Sequence, residues 1–339
     1  MNRPTLIPGL PRVWRDGGEL QLGSDPSRSV VLRLPDPRTA LVLDLLDGSR
    51  PERRVLLEAA QLGVPPDDAQ AVVDTLRAAG LALPASSLLP AIPSAHRLTG
   101  EAAVLALRGD ASRTPATRLR RRHAARVLIT GKGRLGAPIA VALAEAGVGH
   151  VHLDLPGKVQ PGELAAGPLR GSDVGTSRND AVAAALERAV PGLETSGVRG
   201  AATLAIQLDP DTPVILLAAA HAQRGQPHLA VTIREGAAVI GPLVPPAGAP
   251  CLACLDRHRR DRDAAWPGPP PRTGPEPCTV ATLLAATAYA VEEALTFLDG
   301  GAPETLGAST EVTSPGRLRR RTWPAHPACD CARRALRKR

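Results

Sequence analysis

The sequence predicts an α/β protein made of two domains, and three observations support this. Its 339 residues exceed one ordinary domain. The β-branched run 126–130 is followed by a glycine-rich turn, an Ala-rich helix over 138–146 and a strand over 151–154 that ends in an acid. Apolar runs then alternate with helical patterns toward the C-terminus. Together they predict a Rossmann-like domain with a mostly parallel sheet and helices on both faces.

Composition and charge exclude several classes of function. Three Trp, one Tyr and one Phe are too few for a platform on which single-stranded nucleic acid stacks. The net charge of +8 equals that of residues 317–339, where nine basic residues face Asp330 alone. We therefore expect solvated charge and no nucleic-acid-binding face. The sequence has no apolar run of about 20 residues and no apolar core near its start, so we predict a cytoplasmic protein without a membrane partner.

Residues 1–83 predict a small winged-helix-like domain of α+β type. A short hairpin is expected over Leu20–Val31 because Gly and Pro interrupt alternating apolar positions there. Three helices follow at about 37–46, 50–62 and 66–79. A DNA-binding regulator is the weakest interpretation, since Asp67, Asp68 and Asp74 on the third helix would repel phosphates.

The remaining chain divides by composition. Residues 84–125 are rich in Pro, Ser, Ala and Arg, which predicts a linker with one short helix near 101–108. Residues 126–331 form the nucleotide-fold domain, and 332–339 form a basic tail. Val214–Leu217 is interpreted as a buried strand of this domain, and a long helix is expected over Thr279–Leu298.

Three glycines mark a candidate nucleotide site. Gly131, Gly133 and Gly136 lie where the first strand turns into a helix, so backbone N–H groups there can approach a phosphate. Asp154 ends the next strand, where it can accept a hydrogen bond from a ribose hydroxyl. The pattern predicts the architecture more firmly than it predicts a bound nucleotide.

Four of the five cysteines form two close pairs, Cys251 with Cys254 and Cys329 with Cys331. In a reducing compartment such pairs indicate metal ligands sooner than disulfides. We predict one structural Zn²⁺ held by all four thiolates, which leaves no open position for catalysis. His326 as a replacement for one ligand stays open.

Two further groups of residues have competing interpretations. Cys278 precedes the long helix, whose dipole would lower the pKa of its thiol and make it a candidate nucleophile, but it can equally be an unreactive buried cysteine. His258, Asp261 and Asp263 could form an acid–base cluster. The intervening arginines favour a solvated, salt-bridged helix instead.

Five segments carry a resemblance to a known family: RVLITGKGRLGAPIAVALAEAGVGHVHLD, DVG, GPLVPPAGAPCLACL, CTVATLLAATAYAVEEALTFLDG and RTWPAHPACDC. In this order they resemble the ThiF/MoeB/ubiquitin-activating superfamily of carrier-protein adenylyltransferases over residues 126–331. The resemblance implies ATP with Mg²⁺ at the glycine loop and Asp154, a homodimer, and a reactive loop cysteine at Cys278. It also places Arg178 where the family has a lysine at the start of a helix.

The sequence departs from this family at two places. The segment LPGKVQPGELAAGP lacks the arginine that contacts phosphate, and the next arginine is Arg170. The family's magnesium-binding Asp follows the central strand. With Val214–Leu217 as that strand, this position would hold Ala218, Ala219, Ala220 and His221. Loss of both groups would cost several kcal/mol of transition-state stabilisation, which predicts a degenerate adenylylation site.

The N-terminal stretch LVLDLLDGSRPERRVLLEAAQLGVPPDDAQAVVDTLRAAGLAL resembles PqqD-like leader-recognition modules of azoline-forming peptide-modification systems. The resemblance implies a precursor peptide bound as an added strand and a cyclodehydratase-type partner enzyme. The favoured interpretation is therefore a leader-peptide-binding scaffold in the biosynthesis of a ribosomal peptide natural product. The alternative is an active ATP-dependent adenylyltransferase that activates the C-terminus of a carrier protein, so the sequence leaves open whether the protein is an enzyme.

Overall fold

A computed structural model describes residues 3–26, 28–109, 113–197, 199–268 and 276–331. The predicted basic tail at 332–339 lies outside the described residues. The chain divides into two compact units, one up to Arg120 and one from Arg121 onward.

The first unit contains two small antiparallel sheets beside helices. β1 (Pro4–Leu6) pairs with β5 (Ala82–Pro84), and β2 (Arg12–Arg15), β3 (Glu19–Leu22) and β4 (Val30–Arg33) form a three-stranded sheet in that order. Between them a short 3₁₀ helix precedes α1 (Val42–Leu45), α2 (Glu52–Gln61) and α3 (Pro66–Ala78). α3 begins at a proline, and its apolar side chains at i, i+3, i+4 and i+7 are buried in the core of this unit: Ala69, Val72, Val73 and Leu76. A small N-terminal sheet domain is thus present, and its assignment to the winged-helix type stays a prediction.

The stretch expected to be a linker is largely helical. It contains α4 (Ala85–Leu88), α5 (Thr99–Leu107) and α6 (Pro115–Ala124). A separate apolar cluster joins these helices: Leu88, Leu98, Ala102, Leu105 and Leu119. The short helix expected near 101–108 is present as α5. α4 and α6 were missed, because their apolar positions are few and widely spaced between Pro, Ser and Arg residues. The domain boundaries at 83 and 125 remain predictions.

A seven-stranded mixed sheet forms the centre of the second unit. Its strands lie in the order β12-β11-β10-β9-β8-β6-β7, with β7, β6, β8 and β9 parallel and the other pairs antiparallel. The strands are β6 (Arg126–Thr130), β7 (His150–Asp154), β8 (Leu204–Gln207), β9 (His228–Arg234), β10 (Ala237–Val244), β11 (Ala308–Ser314) and β12 (Arg317–Thr322). The helices are α7 (Gly136–Glu145), α8 (Arg178–Ala189), α9 (Val214–Arg224), α10 (Leu252–Arg262) and α11 (Val280–Leu298). The predicted α/β class is confirmed.

The long helix α11 is a core helix of this unit. Its composition and length alone would allow it to cross a bilayer, with a mean hydropathy of 1.3. Its residues Ala286, Ala290 and Ala294 are fully buried in the apolar core that also contains α7 and the strands. The Tyr289 hydroxyl lies 2.9 Å from that of Thr310 on β11. These contacts explain its apolar character by packing.

The strand predicted at Val214–Leu217 is wrong, because these residues begin α9. Pro213 precedes the helix, and Gly225 ends it in the left-handed region at φ 59°. A short apolar run does not distinguish a strand from a helix. The proline before this run and the glycine after it are separated by the length of a short helix, and this spacing indicates α9. The central strand is β8, which lies between β6 and β9.

β12 forms one edge of the large sheet, and all its residues are exposed. It includes Arg317, Arg319, Arg320 and Arg321. Two of these arginines have acidic neighbours, since Arg321 lies 3.5 Å from Glu311 and Arg320 lies 3.9 Å from Glu304.

Candidate functional site

The glycine loop connects β6 to α7 and leaves no room for side chains at two positions. Gly131 has φ 102°, and a Cβ there would lie 2.9 Å from the carbonyl oxygen of Asp209. A Cβ at Gly136 would lie 2.8 Å from the Leu208 side chain. The glycines therefore let the loop pack directly against the segment that follows β8.

Asp154 lies at the end of β7, next to the loop, as predicted. It pairs in parallel register with Thr130, whose hydroxyl donates to its carboxylate at 2.8 Å. The Gly131 N–H donates to the Asp154 carbonyl oxygen at 3.1 Å. The carboxylate is exposed and can accept further hydrogen bonds, as a ribose-binding acid must.

Asp209 is a site residue that the sequence analysis missed. It lies shortly after β8, and its backbone exchanges two hydrogen bonds with Lys132 of the loop, at 2.9 and 3.2 Å. Its carboxylate accepts from the Thr232 hydroxyl on β9. An acidic residue thus follows β8, and the predicted Ala218–His221 position is wrong because it rested on the wrong strand. The signal was the run Leu204–Leu208 followed by Asp-Pro.

The loop itself carries two cations. Lys132 forms an ion pair with Asp211 at 2.7 Å. Arg134 is half-buried, and its guanidinium Nη1 donates to the carbonyl oxygens of Glu276 and Cys278, each at 3.1 Å. The loop therefore contains two basic side chains, each with a partner in this structure, whereas the segment after Asp154 supplies no arginine.

A carboxylate already binds the N-terminal end of α7. The Glu276 Oε2 atom accepts from the backbone N–H of Arg134 at 2.7 Å. The other oxygen, Oε1, lies 3.2 Å from where a Cβ of Gly133 would be. One backbone N–H at this end of the helix thus binds an anion, as helix N-termini do.

Arg178 takes part in a buried ion pair. Its guanidinium binds Glu163 in a bidentate manner, with two contacts of 2.8 Å, and the two residues are 9% and 8% exposed, respectively. It also donates to the carbonyl oxygens of Pro156 and Lys158. These contacts fold the segment after Asp154, and the predicted role of Arg178 in nucleotide binding stays a prediction.

Cys278 is half-buried immediately before α11, whose cap is Thr279. Burial raises the pKa of its thiol, and the nearby Arg134 only partly opposes this. The expectation of a lowered pKa is therefore wrong, because the desolvation of the thiol outweighs the nearby positive charge. Its role as a nucleophile stays a prediction.

The two cysteine pairs come together as predicted. Sulfur–sulfur distances are 3.9 Å for Cys251–Cys254, 3.7 Å for Cys251–Cys329 and 3.2 Å for Cys254–Cys331. Tetrahedral zinc with bonds of about 2.3 Å separates its sulfurs by about 3.8 Å, so this donor set fits zinc. Burial raises the pKa of Cys329, while hydrogen bonding from Cys331 lowers that of Cys251 to about 5. Four thiolates in one buried place require a cation.

The histidines near this cluster have other partners. The two ring nitrogens of His326 bind Asp261, at 2.8 Å, and the Ala328 N–H, at 3.1 Å. His258 donates to the Pro324 carbonyl oxygen at 3.0 Å, and Asp263 accepts from the Ala265 N–H. The polar atoms of His258, Asp261 and His326 all lie within 4.8 Å of one another, and within this group Asp261 hydrogen-bonds to His326. On α10, Arg260 and Asp256 form an (i, i+4) ion pair, a feature of the salt-bridged helix.

Comparisons with known proteins found one family model and several solved structures similar to this chain. The model of the ThiF family matches residues 110–206, which include the glycine loop, Asp154 and most of β8. The fold resembles E. coli MccB solved with ATP, with TM-score 0.65, 15% identity, and coverage of 97% of this chain and 99% of that one. E. coli MccB solved with AMPCPP and MccA has a TM-score of 0.64 and 16% identity, with coverage of 97% of this chain and 99% of MccB. The solved structure of PaaA has a TM-score of 0.63 and 16% sequence identity, with coverage of 93% of this chain and 98% of PaaA. The expected resemblance to ThiF-type proteins is confirmed.

No curated protein matches the sequence. At identities of 15% and 16%, the solved structures show the fold of the chain alone. The PqqD-like resemblance of the N-terminal unit remains a prediction.

Proposed function

We propose that the chain is an ATP-dependent enzyme of peptide natural product biosynthesis that adenylylates the C-terminal carboxylate of a ribosomally made peptide. The supporting observation is the position of Asp209, whose backbone is hydrogen-bonded to the glycine loop. The fold likeness to MccB, which has been solved with ATP and with MccA, is consistent with both substrates.

Each group at the loop has a role in this reaction. Asp154 would accept hydrogen bonds from the ribose, and the loop N–H groups would bind phosphate. Asp209 would hold Mg²⁺, which prefers carboxylate oxygens. Lys132 and Arg134 are the cations that the loop itself provides. They take the place of the arginine that the segment 155–169 lacks.

The chemistry explains why these charges matter. A carboxylate oxygen of the peptide forms a bond to the α-phosphorus, and the bond from this phosphorus to pyrophosphate breaks. Negative charge accumulates on the phosphoryl oxygens and on the leaving pyrophosphate. Fixed cations and N–H dipoles aimed at these oxygens stabilise that charge more in the transition state than before it.

A leader-peptide-binding scaffold with a degenerate site is the second candidate. It is favoured by Arg178, which is engaged with buried Glu163. It is also favoured by the missing arginine after Asp154. In this function the N-terminal unit captures the precursor and a separate cyclodehydratase-type enzyme modifies it.

Pyrophosphate exchange distinguishes the two candidates. The purified chain is mixed with ATP, Mg²⁺, labelled pyrophosphate and the peptides encoded by neighbouring genes. We expect label to enter ATP only with a cognate peptide, and Asp209→Asn to reduce the rate about 100- to 1,000-fold. Asp263→Asn, a matched change at an exposed acid beyond α10, should exchange at the wild-type rate. Peptide binding without any exchange would instead support the scaffold.

The proposal includes a structural zinc at the four cysteines, a cytoplasmic location and a homodimer. The donor geometry supports the metal. The location and the dimer derive from the sequence and from the family resemblance. Size-exclusion chromatography with light scattering tests the dimer directly.

A further inference from the structure

We propose that Glu276 sets the affinity of this protein for nucleotide, because its carboxylate occupies the position on the glycine loop that a nucleotide phosphate would take. This inference rests on the proposed function, since it assumes that the loop binds a phosphate. It adds a residue that competes with the phosphate, and it connects the loop to the segment that carries Cys278.

The contact has the geometry of anion binding at a helix N-terminus. The Arg134 N–H points to Glu276 Oε2 at 2.7 Å, a distance typical of a charge-assisted hydrogen bond. Arg134 directly precedes Leu135, the residue at the N-terminal cap of α7. The positive end of the helix dipole and the N–H group favour a carboxylate there as they would favour a phosphate.

Gly133 makes the close approach possible. It has φ 139°, and a Cβ at this position would meet Glu276 Oε1 at 3.2 Å and Oε2 at 3.5 Å. A side chain at this position would press on the carboxylate, so the glycine lets the carboxylate lie close to the loop. A phosphate that used the same N–H group would need the same space, so the two anions exclude each other.

Arg134 also holds the main chain that carries Glu276. Its Nη1 atom donates to the carbonyl oxygens of Glu276 and Cys278, so one residue binds this segment through its backbone and its side chain. When a phosphate displaces the carboxylate, one of these three hydrogen bonds is lost. We therefore expect the segment 276–278 to loosen, and the half-buried Cys278 thiol to become more accessible, when the loop binds nucleotide.

The first test measures nucleotide affinity. Calorimetry on the full chain with AMPCPP and Mg²⁺ compares wild type, Glu276→Ala and Glu276→Gln. Glu276→Ala removes the competing charged hydrogen bond and should bind AMPCPP about tenfold more tightly than wild type. The affinity of Glu276→Gln should lie between those of wild type and Glu276→Ala. Glu145→Ala changes an exposed glutamate at the other end of α7 and should bind as wild type does.

The outcomes separate this inference from its premise. Equal affinities of wild type and Glu276→Ala in a protein that binds AMPCPP would overturn the role of Glu276 and leave the proposed function standing. If neither protein binds AMPCPP, both the inference and the nucleotide-binding premise fail. A tenfold difference in AMPCPP affinity between wild type and Glu276→Ala, in a protein that shows no pyrophosphate exchange, would support the role of Glu276 and contradict the proposed catalysis.

The second test measures the reactivity of Cys278. The other four cysteines are the proposed zinc ligands Cys251, Cys254, Cys329 and Cys331. Iodoacetamide labelling followed by peptide mass spectrometry therefore reports on the Cys278 thiol separately. We expect AMPCPP to accelerate labelling in the wild type. Glu276→Ala should label fast with or without AMPCPP. Labelling that AMPCPP slows or leaves unchanged in the wild type would overturn the coupling.

Discussion

Two histidines are stacked in the interior of the second unit. The ring of His221 on α9 lies 4.1 Å from that of His228 on β9, and the two residues are 9% and 3% exposed, respectively. The Gln207 side-chain amide donates to the Leu208 carbonyl, so its Oε1 accepts from His221 Nε2 at 3.2 Å. Burial lowers the pKa of His221 to about 4, and the charges of His228 and Arg224 contribute to this lowering. The neutral ring is the form that this site accommodates.

This lowered pKa predicts a loss of stability in acid. The unfolded chain binds a proton at this histidine near pH 6.5, whereas the folded chain does so only near pH 4. The contribution of the neutral His221 ring to the free energy of unfolding is therefore complete above pH 6.5 and is lost as the pH falls to 4. Urea unfolding from pH 7 to pH 4.5 should show a steeper decline in wild type than in His221→Asn.

Acid also protonates thiolates of the cysteine cluster, and the variant controls for this because its cluster is unchanged. Parallel declines of the free energy of unfolding in wild type and His221→Asn would show that His221 titrates normally in the folded protein.

The site residues that could be predicted are those whose pattern lies within a short stretch of sequence. The glycine loop, Asp154 and the cysteine pairs were found because each depends on local spacing. Glu276 was missed because its partner Arg134 is far away in the chain, and nothing in the sequence indicates this contact. Asp209 was missed for a different reason, namely that the strand before it was misplaced.

Among the elements, β4 is the one on which the peptide-binding hypothesis depends. It lies at an edge of the three-stranded sheet, and Leu34 beyond it donates to the Gly18 carbonyl oxygen at 2.9 Å. Antiparallel pairing alternates, so the N–H groups of Leu32 and Val30 also face β3. Those of Val31 and Arg33 face outward, where an added strand could pair.

Val31→Pro is expected to weaken binding of a precursor peptide about five- to tenfold in the full chain, because it removes one outward donor worth about 1 kcal/mol. Val31→Ala keeps the N–H and should bind as wild type does. Calorimetry with peptides from neighbouring genes measures the difference, and melting curves confirm that both variants fold. Equal binding by the two variants would argue against strand addition at β4.

Several elements could be predicted from apolar patterns, including the strands β6 and β7, the helix α7 and the long helix α11. The exceptions are instructive. α9 was mistaken for a strand because it begins with a run of apolar residues. α4 and α6 were missed because the small cluster that they form with α5 needs few apolar positions, whereas α5 itself was expected near 101–108.

At the scale of the whole molecule, the two units differ in what stabilises them. The four cysteines all lie in the unit that begins at Arg121. The unit that ends at Arg120 has apolar clusters of its own and contains no cysteine. Metal binding should therefore stabilise one unit and leave the other unaffected.

We expect one zinc per chain by elemental analysis, and chelation or Cys329→Ser should lower only the melting transition of the second unit. Structural zinc contributes about 10 kcal/mol or more in small domains. Even a loss of about 3 kcal/mol would lower this transition by about 10 °C. Cys278→Ser should keep both the zinc and the transition. Absence of zinc, or an unchanged transition in Cys329→Ser, would contradict the metal site.

The basic edge strand β12 limits how copies of this protein can associate. An exposed strand invites pairing with the same strand of another copy, which would extend the sheet across both molecules. Here such pairing would bring together four guanidinium groups from each copy, and their mutual repulsion opposes it. We therefore expect this edge to disfavour pairing between copies, and the proposed homodimer to use a different surface.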